Sequence, residues 1–204
     1  EKPAGMNVFT FPRGAQAGIF LHSLFEELDF SAARPEAVNS LVGKGLERYG
    51  YAREWEPCIT SLVNNVIATP LSSPEGPFAL TDLKQGCWLA ELEFFFPLKF
   101  VSAPILRECL RRWSGTHVAM DIPALCQGLK FRPAEGMVRG FIDMVFEHKG
   151  RFYLLDWKSN HLGYRIEDYG SEALKAAMVQ HLYPLQYLLY TVALNRYLGL
   201  RVKI

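Results

Sequence analysis

The sequence has almost no excess of charge of either sign. Lys and Arg number 22 and Asp and Glu number 21, so the formal net charge of the 204 residues is only +1. This balance excludes a chain that holds a polyanion by bulk electrostatics, and any contact with nucleic acid needs a local basic group or a partner. No apolar run approaches the roughly 20 residues that a membrane span requires. We therefore expect a chain without a membrane anchor.

Cysteine is scarce and scattered. The four cysteines form no C-x-x-C pair and have no histidine close by: Cys58, Cys87, Cys109 and Cys126. A zinc knuckle and a clustered iron–sulfur ligand set are therefore not indicated, and we interpret the four as reduced thiols in the core. The sequence starts at Glu1 and has no basic-then-apolar leader. From this we expect a cytoplasmic segment of a longer polypeptide.

Helical periodicity dominates both ends of the chain. Apolar residues at Phe20, Leu24 and Leu28 have the 3.6-residue spacing of an amphipathic helix, which we predict over 15–28. Similar patterns predict further helices over 37–49, 57–68, 104–113, 171–182 and 184–198. Three prolines in the stretch 69–77 remove backbone donors and constrain the chain, so we predict a loop over residues 69–80.

Strand patterns lie in the middle of the chain. We predict a strand over 91–97 that stops at Pro97, because the segment is rich in phenylalanine. Two further strands, 138–147 and 151–159, are separated only by His148-Lys149-Gly150, a connection short enough for an antiparallel hairpin alone. We see no internal repeat and no second domain, and we predict one α/β domain over residues 1–204.

Two acids interrupt the apolar strands of this hairpin. Alternate side chains of a strand share a face, so Asp156 and Lys158 are predicted on one side and Trp157 on the other. The hairpin then brings Asp143 beside Asp156. Neighbouring carboxylates repel and must share a proton or a cation, and oxygen ligands suit Mg²⁺. The alternative is an ordinary Asp156–Lys158 ion pair with Asp143 as a turn acid.

Two pairs of polar residues have helical spacing. His22 and Glu26 are four residues apart and share one helix face, where the imidazole could add a nitrogen ligand to a metal. The alternative is a histidine that only lies on the helix surface. Gln186 and Tyr190 are also four apart, and they present an amide and a phenol on one side, or simply a polar stripe.

Taken in order, these pairs resemble the RecB-type branch of the PD-(D/E)-x-K nucleases, and the resemblance covers essentially the whole chain. That family has the pattern Gly-x-x-x-His, Gly-x-x-Asp, Asp-x-Lys and Gln-x-x-x-Tyr. The matching pairs here are Gly18 with His22, Gly140 with Asp143, Asp156 with Lys158, and Gln186 with Tyr190. Longer stretches also look like this family, among them Phe11-Pro-Arg-Gly-Ala-Gln-Ala-Gly and Arg151-Phe-Tyr-Leu-Leu-Asp-Trp-Lys-Ser-Asn.

The resemblance implies a fold and a role for each matching residue. The fold would be an α/β restriction-endonuclease-like core, with a mixed sheet flanked by helices and a helical N-terminal insertion. The metal ligands would be His22, Asp143, Asp156 and the backbone carbonyl of Trp157. Asp143, Asp156 and Lys158 would be catalytic, and Gln186 and Tyr190 would bind the DNA backbone.

The function implied is that of a Mg²⁺-dependent deoxyribonuclease domain in an ATP-driven helicase–nuclease for double-strand break repair and recombination. Its partners would be DNA, RecC- and RecD-like subunits and an upstream helicase domain, because this sequence has no Walker A lysine motif. The alternatives are a stand-alone nuclease of the related CRISPR-adaptation type and an inactive nuclease fold used for docking. Arg107, Arg111 and Arg112 could contact phosphates, or they could be a solvated or docking surface.

Overall fold

A computed structural model describes residues 5–113 and 126–201. The chain is α/β. Its main elements are α1 (Ala15–Glu27), α2 (Pro35–Tyr49), α3 (Glu56–Ala68), β1 (Trp88–Val101), α4 (Ala103–Trp113), β2 (Ala134–His148), β3 (Arg151–Leu155), α5 (Ser171–Gln180) and α6 (Tyr183–Gly199). These bounds confirm the six predicted helices to within about two residues at each end, the usual uncertainty of helix ends. Within the described ranges, no helix is both long and apolar enough to cross a membrane.

The sheet has the order β1-β2-β3. β2 and β3 form the predicted antiparallel hairpin, with His148 opposite Arg151 and Met144 opposite Leu155. The two residues between them, Lys149 and Gly150, have φ of 50° and 76°, the positive values of a type I′ turn.

β1 also runs against β2. The Glu147 N–H donates to the Cys87 carbonyl at 2.8 Å, whereas farther along β1 the carboxylate of Glu93 pairs with Arg139. Residue numbers therefore rise along β1 while the numbers of their partners on β2 fall. The sheet of the described residues is thus antiparallel, where the resemblance implied a mixed one.

Two predicted strand ends are wrong. β1 continues through Pro97 to Val101. It is the edge strand of the described sheet, and proline, which has no N–H, is tolerated in edge strands. β3 ends at Leu155, so the predicted strand over 151–159 is too long. Asp156 and Lys158 therefore lie beyond the sheet.

The chain divides into two compact units, Glu1–Leu92 with Ile142–Ile166, and Glu93–Phe141 with Glu167–Ile204. The core of the first unit joins α1, α2 and α3 to the end of β2. Its fully buried side chains include Phe20, Leu24, Val38, Val42, Leu46, Ile59, Val63, Met144 and Phe146. Burial of such large apolar side chains contributes about 1.5–3 kcal/mol each. This core therefore fixes the position of α1 against the hairpin.

The second unit has a smaller core around α4. Ala103, Leu110, Cys126 and Leu129 are buried there. The Arg107 guanidinium donates to the carbonyls of Cys126 at 3.0 Å and Leu129 at 2.6 Å. Arg107 therefore holds its own unit together, which favours a structural role over the phosphate contact considered for it. Of its two neighbours, Arg112 is paired with Glu108 on the same helix.

None of the four cysteines, all of which lie in the described residues, forms a disulfide bond. Cys126 is buried, Cys58 and Cys87 are half-buried and Cys109 is exposed. The prediction of core thiols is therefore wrong for Cys109, because the periodicity of α4 directs this position to solvent while Leu110 faces the core.

Candidate active site

α1 presents His22 to β2. Phe20 and Leu24 on the same helix are 0% and 1% exposed, so the orientation of α1 is set by the core. The Nδ1 atom of His22 lies 3.3 Å from the Oδ2 atom of Asp143. The two side chains are 34% and 13% exposed, which leaves the pair open to solvent on the histidine side. The structure thus brings these two predicted site residues together.

Asp143 is also held by the chain that follows β3. The Trp157 N–H donates to Asp143 Oδ2 at 2.7 Å. The indole of Trp157 stacks on Phe25 of α1 with ring centroids 4.2 Å apart. Core packing of one aromatic ring therefore anchors the backbone that positions the acid. The carbonyl of Trp157 as a metal ligand stays a prediction.

Asp156 and Lys158 form an ion pair through Oδ2 and Nζ. Their side chains are 17% and 27% exposed. Because β3 has ended at Leu155, the two are brought together by the path of the loop and not by strand alternation. The predicted proximity holds, but for a different reason.

The surroundings of Asp143 disfavour the ionised form of its carboxyl. Burial raises the pKa of Asp143 above its ordinary value, and the nearby charge of Asp156 raises it further. The Trp157 N–H, His22 and Lys158 oppose this by favouring the ionised form. A buried pair of acids of this kind binds either a proton or a cation readily.

Glu91 is a candidate site residue that the sequence reasoning missed. Although the residue as a whole is exposed, partial desolvation raises the pKa of its carboxyl, and the charges of Glu26 and Asp143 add to the effect while His22 opposes it. Its φ is 50°, a left-handed conformation that is costly for a residue with a side chain. The available signal was an acid in a phenylalanine-rich strand, the same pattern that identified Asp143.

We expect Glu91→Gln to change how stability depends on pH. A carboxyl with a raised pKa binds more protons in the folded state than in the unfolded state, so folding stability falls as pH rises from about the ordinary value of 4.5 through the raised pKa. Glutamine removes this contribution. Thermal melts at pH 4 and pH 7 should therefore show the variant gaining stability relative to wild type at the higher pH. An equal difference at both pH values would contradict the placement of Glu91 among the acids.

Both motif glycines lie at positions where a Cβ atom would come very close to a neighbouring side chain. A Cβ at Gly18 would lie 3.2 Å from the Ser159 Oγ, so the loop after Lys158 passes closely against α1, one turn before His22. A Cβ at Gly140 would lie 2.6 Å from the Phe94 ring, a separation that real side chains do not show. The spacing Gly-x-x-x-His and Gly-x-x-Asp thus has a packing reason at each glycine.

Gln186 and Tyr190 lie on α6, in the second unit. The Gln186 amide donates to the Tyr190 hydroxyl at 2.8 Å, and the Tyr190 ring meets Phe94 edge to face with centroids 5.6 Å apart. The predicted pair therefore forms a real contact. Its role at the DNA backbone stays a prediction.

Comparison with known proteins agrees with the motifs. No protein-family model matches the chain. RecBCD enzyme subunit RecB of Escherichia coli is 43% identical over 194 residues, which cover 94% of this chain. The chain is a RecB homologue. RecB of Haemophilus influenzae is 35% identical over 94% of the chain, and RecB of Buchnera aphidicola from Schizaphis graminum is 30% identical over 100%.

These RecB proteins are much longer than this chain, which spans 15% of the E. coli subunit and 16% of the Buchnera one. The likeness to RecB therefore concerns one segment of those subunits. It confirms the family resemblance that the paired motifs indicated.

The donor set suits a divalent cation by its chemistry. Carboxylates and an imidazole are ligands for such ions, and a bound cation would relieve the repulsion that raises the pKa of Asp143. As they stand, however, no three His, Cys, Asp or Glu side chains of residues 5–113 and 126–201 are grouped to hold a metal. The contacts explain this, because Asp143 is engaged by His22 and Trp157 while Asp156 is paired with Lys158.

Proposed function

We propose that this chain is a Mg²⁺-dependent deoxyribonuclease domain with a PD-(D/E)-x-K core, which hydrolyses DNA phosphodiesters. The observation that carries the proposal is the gathering of His22 and Asp143, with Asp156 and Lys158 beside them, where the β2–β3 hairpin meets α1. An inactive docking module would not need this set of mutually repelling acids with a lysine beside them.

His22, Asp143, Asp156 and the carbonyl of Trp157 would hold the Mg²⁺ ion. When bound there, the ion supplies Lewis acidity to the scissile phosphate and lowers the pKa of a bound water. The protein's own contribution is orientation. The Trp157 N–H and His22 both contact one oxygen of Asp143, which leaves its other carboxylate oxygen for a ligand role.

Lys158 acts on the phosphate itself. Asp156 holds its ammonium in the site, and the positive charge stabilises the negative charge that develops on the phosphorus oxygens during attack. An ammonium fixed before the reaction needs no reorganisation when that charge appears. Lys158 can also orient the attacking water through its hydrogen-bond donors.

We further propose that the domain works within an ATP-dependent helicase–nuclease for double-strand break repair and recombination. The relatives are named as subunits of RecBCD, and this chain covers only 15% of the E. coli subunit. The partners would be an upstream helicase domain of the same polypeptide, RecC- and RecD-like subunits and DNA. A stand-alone nuclease remains the competing arrangement.

The direct test is cleavage of end-labelled DNA by the purified chain in Mg²⁺, with EDTA and with Ca²⁺ as parallel conditions. We expect products in Mg²⁺ and none in EDTA. A folded chain that leaves DNA intact at every Mg²⁺ concentration, alone and with its partner subunits, would contradict the proposal and favour a docking role. Rapid cleavage that partner subunits do not change would favour the stand-alone arrangement.

We expect His22→Ala to raise the Mg²⁺ requirement for cleavage without eliminating it, because two carboxylates and a backbone carbonyl would remain. Loss of a neighbouring group at a metal site typically weakens metal affinity about 10–100-fold. A Mg²⁺ titration of the cleavage rate measures this shift, and the half-saturating concentration should rise while high Mg²⁺ restores part of the rate. An unchanged titration would assign His22 to the helix surface.

A further inference from the structure

A second cationic group lies in the first unit, at the start of α1. The Arg13 guanidinium lies over the Tyr164 ring, 4.6 Å from its centroid. His161 meets the same ring edge to face, with centroids 4.9 Å apart, and its Nε2 is 3.3 Å from the carbonyl of Phe9. These contacts tie the chain before α1 to the loop that follows Lys158.

Arg13 differs from three other arginines of this unit. Those three are used in ion pairs: Arg48 with Glu27, Arg53 with Glu56 and Arg151 with Glu75. Within the described residues, Arg13 has no carboxylate or carbonyl acceptor, and its residue is exposed. Stacking occupies the face of a guanidinium and leaves the N–H groups at its edge available.

An arginine ordered in this way is suited to a phosphate. Its planar fork binds phosphate oxygens with two parallel hydrogen bonds, and the stack on Tyr164 lowers the entropy lost when the side chain is fixed. Arg13 lies two residues before α1 begins at Ala15, and the first turn of a helix carries free backbone N–H groups and the positive end of the helix dipole. These groups are suited to one singly charged phosphodiester.

The position along α1 relates this group to the candidate active site. Ala15 and His22 are both on α1, and seven residues of helix span about 10 Å. A phosphate at Arg13 would therefore lie within a few nucleotides of the bond held near His22.

We infer that Arg13, ordered by Tyr164 and His161, binds a backbone phosphate of the DNA strand within a few nucleotides of the cleaved bond. This inference rests on the proposed function, because it concerns how that same site holds its substrate. Because the formal net charge is only +1, affinity for DNA has to come from local contacts such as this one.

Binding measured without cleavage tests the inference. In EDTA, the dissociation constant of a short single-stranded oligonucleotide is measured over a range of salt concentrations for wild type, Arg13→Ala, Arg13→Lys and Tyr164→Leu. We expect Arg13→Ala to weaken binding about tenfold and to reduce the slope of log affinity against log salt by about one. Arg13→Lys and Tyr164→Leu should lie between it and wild type. Arg53→Ala is the matched control, because Arg53 is exposed and paired with Glu56.

The position of the contact is tested by neutralising one phosphate at a time as a methylphosphonate. Wild type should lose affinity at a single position within a few nucleotides of the cleaved bond, and Arg13→Ala should be insensitive there. Unchanged binding and salt slope in Arg13→Ala, with cleavage retained, would overturn the inference and leave the proposed function standing. A wild-type chain that neither cleaves nor binds DNA, alone and with its partner subunits, would contradict the proposed function itself.

Discussion

Lys158→Ala is expected to lower the rate of DNA cleavage by at least about a hundredfold, because loss of one preorganised group that stabilises developing charge costs about 10²–10³ in rate. Asp156→Ala should have an effect of at least this size, since it removes both the proposed ligand and the partner of Lys158. The fold should survive, because the two side chains lie in the loop after β3, outside the hydrophobic core of the unit.

The measurement is single-turnover cleavage at saturating Mg²⁺, with circular dichroism melts of the same preparations. Lys44→Ala is a suitable control, because Lys44 is an exposed lysine on α2 in the same unit. The double variant should lose little more activity than either single variant, since groups that act as a unit are strongly non-additive. A wild-type rate in either purified single variant would remove Lys158 or Asp156 from the site.

Asp143→Asn is expected to remove cleavage almost completely while leaving thermal stability at pH 7 unchanged or higher. Burial and the charge of Asp156 raise the pKa of Asp143, so the ionised form is disfavoured in the folded state. A neutral amide of the same shape removes that cost, and its oxygen can still accept the Trp157 N–H. The loss of activity then follows from the loss of a charged ligand and not from unfolding.

Asp143→Ala separates the loss of charge from the loss of the hydrogen-bond acceptor, because alanine leaves the Trp157 N–H without its acceptor. An unsatisfied donor of this kind costs about 1–3 kcal/mol, so this variant should melt at a lower temperature than Asp143→Asn. Asp29→Asn serves as the control for charge removal, since Asp29 is exposed and only caps a short helix. Cleavage by Asp143→Asn at the rate of wild type would exclude Asp143 as a ligand.

Local patterns were enough to predict most of the elements. The spacing of Phe20, Leu24 and Leu28 predicts the buried side of α1, because helical periodicity acts over only a few residues. The short connection at Lys149-Gly150 predicts the hairpin for a similar reason, since two residues allow only an antiparallel return of the chain. The paired motifs likewise indicated the RecB homology that the comparisons confirm.

Other features depended on contacts between distant parts of the chain. Pro97 is tolerated inside β1 because that strand is at the edge of the sheet, which no local pattern reveals. Glu91 has a left-handed backbone conformation, and the charge of Asp143, which is 52 positions away in the sequence, raises the pKa of its carboxyl. The sequence by itself therefore predicted which residues form the candidate site, through motifs of fixed local spacing. Tertiary structure alone decided their contacts, because the Trp157 N–H on Asp143 and the Arg13 stack on Tyr164 each join segments that meet only after the core has packed.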